Sequence, residues 1–399
     1  MTERLYYTDP YLTEFDSKVV AVRDVQGRTG VVLDRTAFYP TSGGQPYDTG
    51  TLGEARVVDV VDDDHEIVHV LEGEAPSGAV TGRIDWRRRF EHMQQHTGQH
   101  VLSAAIERLC GARTQSFHLG TEAATIDLSR ELSVAEIAAA EDAANGVVWA
   151  DRPVTISFVE ADAAAALPLR KESVRGGTLR IVDIDGYDVS ACGGTHVART
   201  GGIGIIVVSA WERFRGGTRL EFRCGGRALA AHRLLRDVAA EGARLLSAGV
   251  GELPQALERL QSEIKDLRRR SKESDAKLSA YEAEALAARA ANVAGVAVVV
   301  EAVSDYDVNG LKNMALAMVS KGRCAVVLVT AASPVSLVIA RAADVAVDVA
   351  WLLKELTAKF GGKGGGRPEL AQGGGLLASP DEIVAAAKQL LSALIQGGS

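Results

Sequence analysis

The 399 residues of this chain suffice for two to three domains, each able to bury its own core. With 47% hydrophobic and 24% charged residues, wholesale disorder is excluded; no apolar run reaches the roughly 20 residues of a membrane helix, and the start lacks a signal-peptide core. The net charge of -8 argues against a general nucleic-acid coat but leaves room for a folded RNA that touches local basic patches, and four scattered cysteines cannot form a disulfide framework. The expected setting is the reducing cytoplasm, with no membrane partner.

Residues 1–84 alternate short β-rich runs with Gly, Pro and Asp turns, the pattern of a small antiparallel barrel. The interval 36–46, Thr-Ala-Phe-Tyr-Pro-Thr-Ser-Gly-Gly-Gln-Pro, is a loop whose hydroxyls and amide are free to face a ligand. The run Asp62-Asp63-Asp64-His65 reads as a polar hairpin turn.

Residues 85–230 read as an α+β domain: helices over 89–109 and 134–148, with strands near 124–128, 154–158, 179–184, 204–208 and 220–222. Residues 231–292 are expected to connect it to the rest of the chain. There, Leu253, Leu257, Leu260, Ile264, Leu267, Leu278, Tyr281 and Ala285 keep one apolar stripe, which fits either a packed connector or a coiled-coil homodimer element, with Ser271 and Ser274 interrupting it. Residues 293–399 alternate strands and helices as a compact α/β domain. Its glycine-rich interval 360–375 has the make-up of a loop that wraps phosphate or ribose, or of a tether. It is no P-loop, because Lys363 precedes Gly364 rather than Ser or Thr.

Chemistry concentrates at two places. His92, His96 and His100 are spaced four apart, so a helix stacks their imidazoles on one face, and either adjacent pair offers two ligands to one metal. Downstream, Cys192-Gly193-Gly194-Thr195-His196 sets a thiolate and an imidazole four apart across a Gly-Gly turn. A His, His, Cys, His set suits tetrahedral Zn²⁺. The zinc-protease pattern fails because Thr97, not Glu, follows His96, and Met93 follows His92. A Cys192–His196 nucleophile pair would leave the histidine helix without a purpose.

His96-Thr97-Gly98-Gln99-His100 with Cys192-Gly193-Gly194-Thr195-His196 resembles the paired zinc motifs of alanyl-tRNA synthetase editing domains and free-standing AlaX proteins. The likeness extends to the 36–45 loop, which is similar to the family's N-terminal barrel loop, and to the last third, which is similar to the DHH-associated domain of the long AlaX form. It implies a zinc site of His96, His100, Cys192 and His196, with His92 as a neighbour. It also implies pocket roles for Gln115 and for Thr36, the latter resembling a threonine that senses a serine hydroxyl.

Editing-like sequence starts within the first 40 residues, which leaves no space for an aminoacylation core, so the expected activity is hydrolysis in trans of alanine tRNA mischarged with serine or glycine. His118 and the tRNA ribose hydroxyl are the candidates for proton transfer. Phosphate contacts are expected from Arg87, Arg88 and Arg89, from Arg213, Arg215 and Arg219, and from Lys363 and Arg367. The competing expectations are a tRNA-binding protein with a closed structural zinc and a zinc hydrolase of small esters.

Overall fold

The computed structural model describes residues 1–63, 66–164, 166–170, 177–331 and 333–397, so Asp64 and His65 of the acidic hairpin lie outside the described residues. Two units emerge, Met1–Glu241 and Gly242–Ser399.

In the first unit, strands Glu14–Val25, Arg28–Leu33, Glu66–Glu72, Ala55–Asp63, Gly50–Leu52 and Ala79–Ile84, in that spatial order, close into an antiparallel barrel. Its interior is packed with Phe15, Val31, Leu33, Phe38, Leu52, Val57, Ile67 and Leu71. Between Thr36 and Asp48 the chain leaves the barrel and returns, pinned where the Tyr39 N–H donates to Asp48 Oδ2 at 2.7 Å. At its tip Ser42 and Gln45 exchange backbone hydrogen bonds of 3.1 and 2.9 Å around Gly43 and Gly44, whose φ values of +57° and +85° make the tight turn that glycine permits.

Helix Trp86–Cys110 follows, capped by Asp85 accepting from the Arg88 N–H and closed by Gly111 in the left-handed region at φ 65°. It begins three residues earlier than the periodicity predicts, because the Asp85 cap fixes its start. Its middle is almost wholly buried, polar residues included. Beside it lie a four-stranded antiparallel sheet in the order Ile206–Phe214, Gly217–Cys224, Ala124–Leu128 and Thr114–Leu119, and helix Val134–Trp149, which opens with a Ser133/Glu136 capping box. A three-stranded sheet of Thr155–Glu160, Thr178–Asp183 and Val189–Ala191 carries the 192–196 loop at its end.

In the second unit, the long helix expected from the stripe runs over Leu253–Ala287, 35 residues, with Ser271 and Ser274 interrupting the apolar stripe but not the helix. Leu257, Leu260, Ile264 and Leu267 stay exposed, whereas Ala283 and Leu286 pack into the core of the unit. A six-stranded sheet follows in the order Ala291–Val293, Val296–Val303, Cys324–Thr330, Val335–Arg341, Leu370–Leu376 and Lys363–Arg367. Successive residues face opposite sides. Val326, Leu328 and Val338 meet helix Val308–Val319, while Val327, Leu337 and Ile339 meet helices Val349–Phe360 and Pro380–Gly397.

The glycine-rich interval is neither a wrapping loop nor a tether. Lys363–Arg367 and Leu370–Leu376 form a β-hairpin whose strands lie so close that a β-carbon on Gly366 would sit 2.3 Å from Ala371 Cα. No helix among the described residues is long and apolar enough to cross a membrane.

Candidate metal centre

The buried face of helix Trp86–Cys110 presents His96 and His100 one turn apart, and the loop after Val189–Ala191 brings Cys192 and His196 to them. One ligand atom from each of the four lies within 4.8 Å of all the others, and Cys192 is the most exposed member. Cys192 Sγ stands 3.4 Å from His96 Nε2 and 3.3 Å from His196 Nε2. The close approach of loop to helix needs Gly194, where a β-carbon would fall 2.1 Å from His96 Cε1.

Each histidine spends its other nitrogen on a fixed partner. His96 Nδ1 donates to Gln45 Oε1 at 2.8 Å, His100 Nδ1 to Asp188 Oδ2 at 2.6 Å, and His196 Nδ1 pairs with Thr97 Oγ1 at 3.2 Å. Acceptors at Nδ1 of His96 and His100 put a proton there and turn the Nε2 atoms towards the common centre, the arrangement that orients metal-binding imidazoles. The partners are themselves held. Gln45 also accepts from the Thr195 N–H at 3.1 Å and donates to its hydroxyl at 2.8 Å, while Asp188 accepts from Ser190 Oγ at 2.9 Å and pairs with Arg170.

The electrostatics follow from these contacts. Burial disfavours the His100 imidazolium, yet the bond and charge of Asp188, with the Cys192 thiolate, raise it to about 9. Burial would raise the Asp188 carboxyl, but His100 and Arg170 outweigh it and hold it well below the carboxylate range. Burial likewise opposes the Cys192 thiolate, and the surrounding imidazoles override it, drawing the thiol well below its ordinary value. The cluster is therefore built around an anionic sulfur, the form in which cysteine binds a metal.

Among the other predicted residues, His92 is 2% exposed, lies outside the four-residue cluster, and is held neutral, at about 3, by burial and by the charges of Arg88, Arg227 and Arg89. Gln115 is exposed on strand Thr114–Leu119, on the same face as Phe117, whose ring stacks on His96 at 5.4 Å. His118 requires a correction. Strand alternation turns it to the opposite face, where it pairs with Thr125, so it does not stand beside the cluster.

Thr36 is also corrected as an open pocket residue. It has no exposed surface, its hydroxyl contacts His69 Nε2 at 2.8 Å, and it accepts from the Phe38 N–H at 3.1 Å. The barrel interior uses that hydroxyl to satisfy a buried histidine.

The arginine run splits because consecutive helical residues point about 100° apart. Arg87 is exposed. Arg88 bonds the Tyr47 carbonyl at 3.0 Å, and Arg89 is wholly buried against Asp48. Arg89 is thus withdrawn from phosphate, and Arg219, partly exposed, turns Nε and Nη2 to the two oxygens of Asp127 at 2.7 and 2.9 Å. Lys363 and Arg367 are exposed on the edge strand of the second unit. Gln45, Thr97, Asp188, Arg170 and Ser190 are the site residues that sequence reasoning did not assign. Only Gln45 carried a signal, as the amide of a loop free to face a ligand.

The tRNA synthetases class II (A) family matches residues 7–88, the threonyl and alanyl tRNA synthetase second additional domain matches residues 179–221, and the DHHA1 domain matches residues 295–393. These place the chain in the class of proteins that share domains with class II tRNA synthetases. The alanyl-tRNA editing protein AlaX-L of Pyrococcus horikoshii is 34% identical over 414 residues, covering 99% of this chain and 100% of that protein. The alanine–tRNA ligase of Pyrococcus abyssi is 36% identical over 93% of this chain but only 42% of its own length. Among solved structures, the C-Ala domain of Aquifex aeolicus alanyl-tRNA synthetase aligns with 27% of this chain and 98% of its own at 22% identity, with a TM-score of 0.25. The chain belongs to the AlaX family of alanyl-tRNA editing proteins.

Proposed function

We propose that the chain is a zinc-dependent aminoacyl-tRNA hydrolase that acts in trans on alanine tRNA carrying the wrong amino acid, serine first and glycine second. The observation that carries this reading is the set of three imidazoles and one thiolate converging on a single point, in a chain of the AlaX family. Zinc fits the donors. Tetrahedral zinc with Zn–N near 2.0 Å and Zn–S near 2.3 Å separates nitrogen from sulfur by about 3.5 Å, close to the 3.3 and 3.4 Å found between Cys192 and two of the histidines. His96, His100, Cys192 and His196 would hold it, and when bound it supplies an electrophile for an ester carbonyl or for water.

The rest belongs to the chain itself. Gln45, Asp188 and Thr97 orient the imidazoles, and the Phe117 ring covers the His96 side. The exposed edge at Cys192 and Gly193, with Gln115 on the neighbouring strand, is where the aminoacyl end of a tRNA would arrive. Serine differs from alanine by one hydroxyl, which an apolar synthetic pocket rejects only weakly, so a second hydrolytic site that gains a hydrogen bond from that hydroxyl supplies the missing selectivity. Of the expected basic residues, Arg87, Arg213, Arg215, Lys363 and Arg367 retain exposed charge for phosphate.

Four ligands around one point also favour a second reading, a tRNA-binding protein whose zinc is closed and structural. One experiment separates the two. The purified chain is incubated with seryl- and alanyl-charged alanine tRNA, with Cys192→Ala as control. Rapid, zinc-dependent release of serine with alanine spared is expected. Tight binding of the tRNA and of zinc without release would establish the second reading instead.

A further inference from the structure

The ligand loop is held from beneath by a cation that none of the matches accounts for. Arg180 lies in Thr178–Asp183, the central strand of the three-stranded sheet, and is 7% exposed with no carboxylate partner among the described residues. Its Nη1 donates to the carbonyls of Cys192 at 2.6 Å and Gly194 at 2.9 Å, and its Nε donates to the Tyr7 carbonyl at 2.9 Å. Nη2 is buried without a partner. The Tyr7 ring lies 5.6 Å from the guanidinium carbon, and its hydroxyl stands 3.6 Å from where a β-carbon on Gly193 would be.

A buried guanidinium must spend its donors on fixed acceptors, and here three hydrogen bonds go to backbone carbonyls. We propose that Arg180 is a positioning residue for the metal centre: its fork fixes the Cys192 and Gly194 carbonyls so that Cys192 and His196 converge on His96 and His100. This rests on the metal reading of the cluster given above. The geometry also explains why the residue is arginine. Lysine offers one compact ammonium, which cannot span two loop carbonyls and the Tyr7 carbonyl in fixed directions. The barrel segment therefore grips the ligand loop twice, through Gln45 from one side and through the Tyr7 carbonyl, by way of Arg180, from the other.

The test compares the full-length wild type with Arg180→Met and Arg180→Lys. Zinc affinity is measured by competition with a chromophoric chelator, cobalt(II) absorption reports the ligand geometry, and melting of the metal-free proteins reports the fold. Wild type should take up cobalt(II) with intense tetrahedral bands and a sulfur-to-metal charge-transfer band. Both variants should lose zinc affinity by about 10–100-fold, the range for losing a partner behind a metal ligand, with weakened or shifted cobalt bands. Those bands are a readout that a merely structural role would not move. A folded Arg180→Met protein with wild-type affinity and spectrum overturns the proposal; if that variant does not fold, the same result in Arg180→Lys overturns it. If the wild type itself takes up no cobalt or zinc, it is the metal reading that fails.

Discussion

Replacing Gln45 with leucine removes a side chain of similar volume that has no exposed surface and makes bonds in three directions. His96 Nδ1, the Thr195 N–H and the Thr195 hydroxyl would lose their partner where water does not reach. At about 1–3 kcal/mol for each stranded group, and allowing the threonine hydroxyl to rotate so that two groups remain, the metal-free protein should lose about 2–6 kcal/mol. For a unit of this size that corresponds to a melting temperature lower by roughly 4–24 °C. Zinc affinity should fall about 10–100-fold because the His96 ring is no longer held in the right tautomer and plane. Gln45→Glu separates the two effects. Its carboxylate still accepts from His96, as Asp188 does for His100, but cannot donate to Thr195, so zinc affinity should stay near wild type while stability falls. The assays are thermal melts of the metal-free proteins and chelator competition for zinc. Equal zinc affinity in wild type, Gln45→Leu and Gln45→Glu would refute the role assigned to the residue.

Arg89 and Asp48 form a wholly buried pair that ties the histidine helix to the 36–48 segment, and Arg89 also bonds the Pro10 and Ala37 carbonyls. Arg89→Met should therefore cost about 3–5 kcal/mol, seen as a lower denaturant midpoint, and adding Asp48→Asn should recover part of it by removing the stranded charge; a double variant weaker than the single one would contradict this. His69, fully buried in the barrel, is pushed down to about 4 by desolvation from its ordinary 6.5. The unfolded chain then binds the proton first. The stability is fully present above pH 6.5 and is lost as the pH falls towards 4, by about 3 kcal/mol in total. His69→Gln should flatten this part of the stability profile, and identical slopes for wild type and variant between pH 6.5 and 4.5 would show that His69 is not the titrating group.

The sequence reveals those parts of the site that follow from local periodicity. A four-residue repeat of histidines on a helix and a Cys-Gly-Gly-Thr-His turn announce their chemistry because helix geometry and glycine conformations act over a few residues. Gln45, Asp188 and Arg180 stay hidden because each acts on a residue 12 to 150 positions away, and an isolated Gln, Asp or Arg has no pattern. The arginine runs mislead for a related reason. Adjacent letters share neither a helix face nor a strand face, so Arg87, Arg88 and Arg89 meet solvent, Tyr47 and Asp48 respectively. The glycine-rich segment misleads because glycine in bulk signals flexibility in composition, whereas here its small size lets two strands lie close together.

Those long-range partners explain why the ligands alone do not define the centre. His96 takes its partner from the barrel segment, His100 from the three-stranded sheet, and His196 from the histidine helix itself. Cys192 and His196 sit on a loop whose carbonyls are fixed by Arg180, and Arg180 is anchored to Tyr7 near the start of the chain. The four ligands come from the helix and the 192–196 loop, and their orienting partners from the barrel segment and the sheet, so metal affinity should respond to changes in each of these elements. It follows that the barrel is part of the metal site's architecture, whatever else it contributes to recognition.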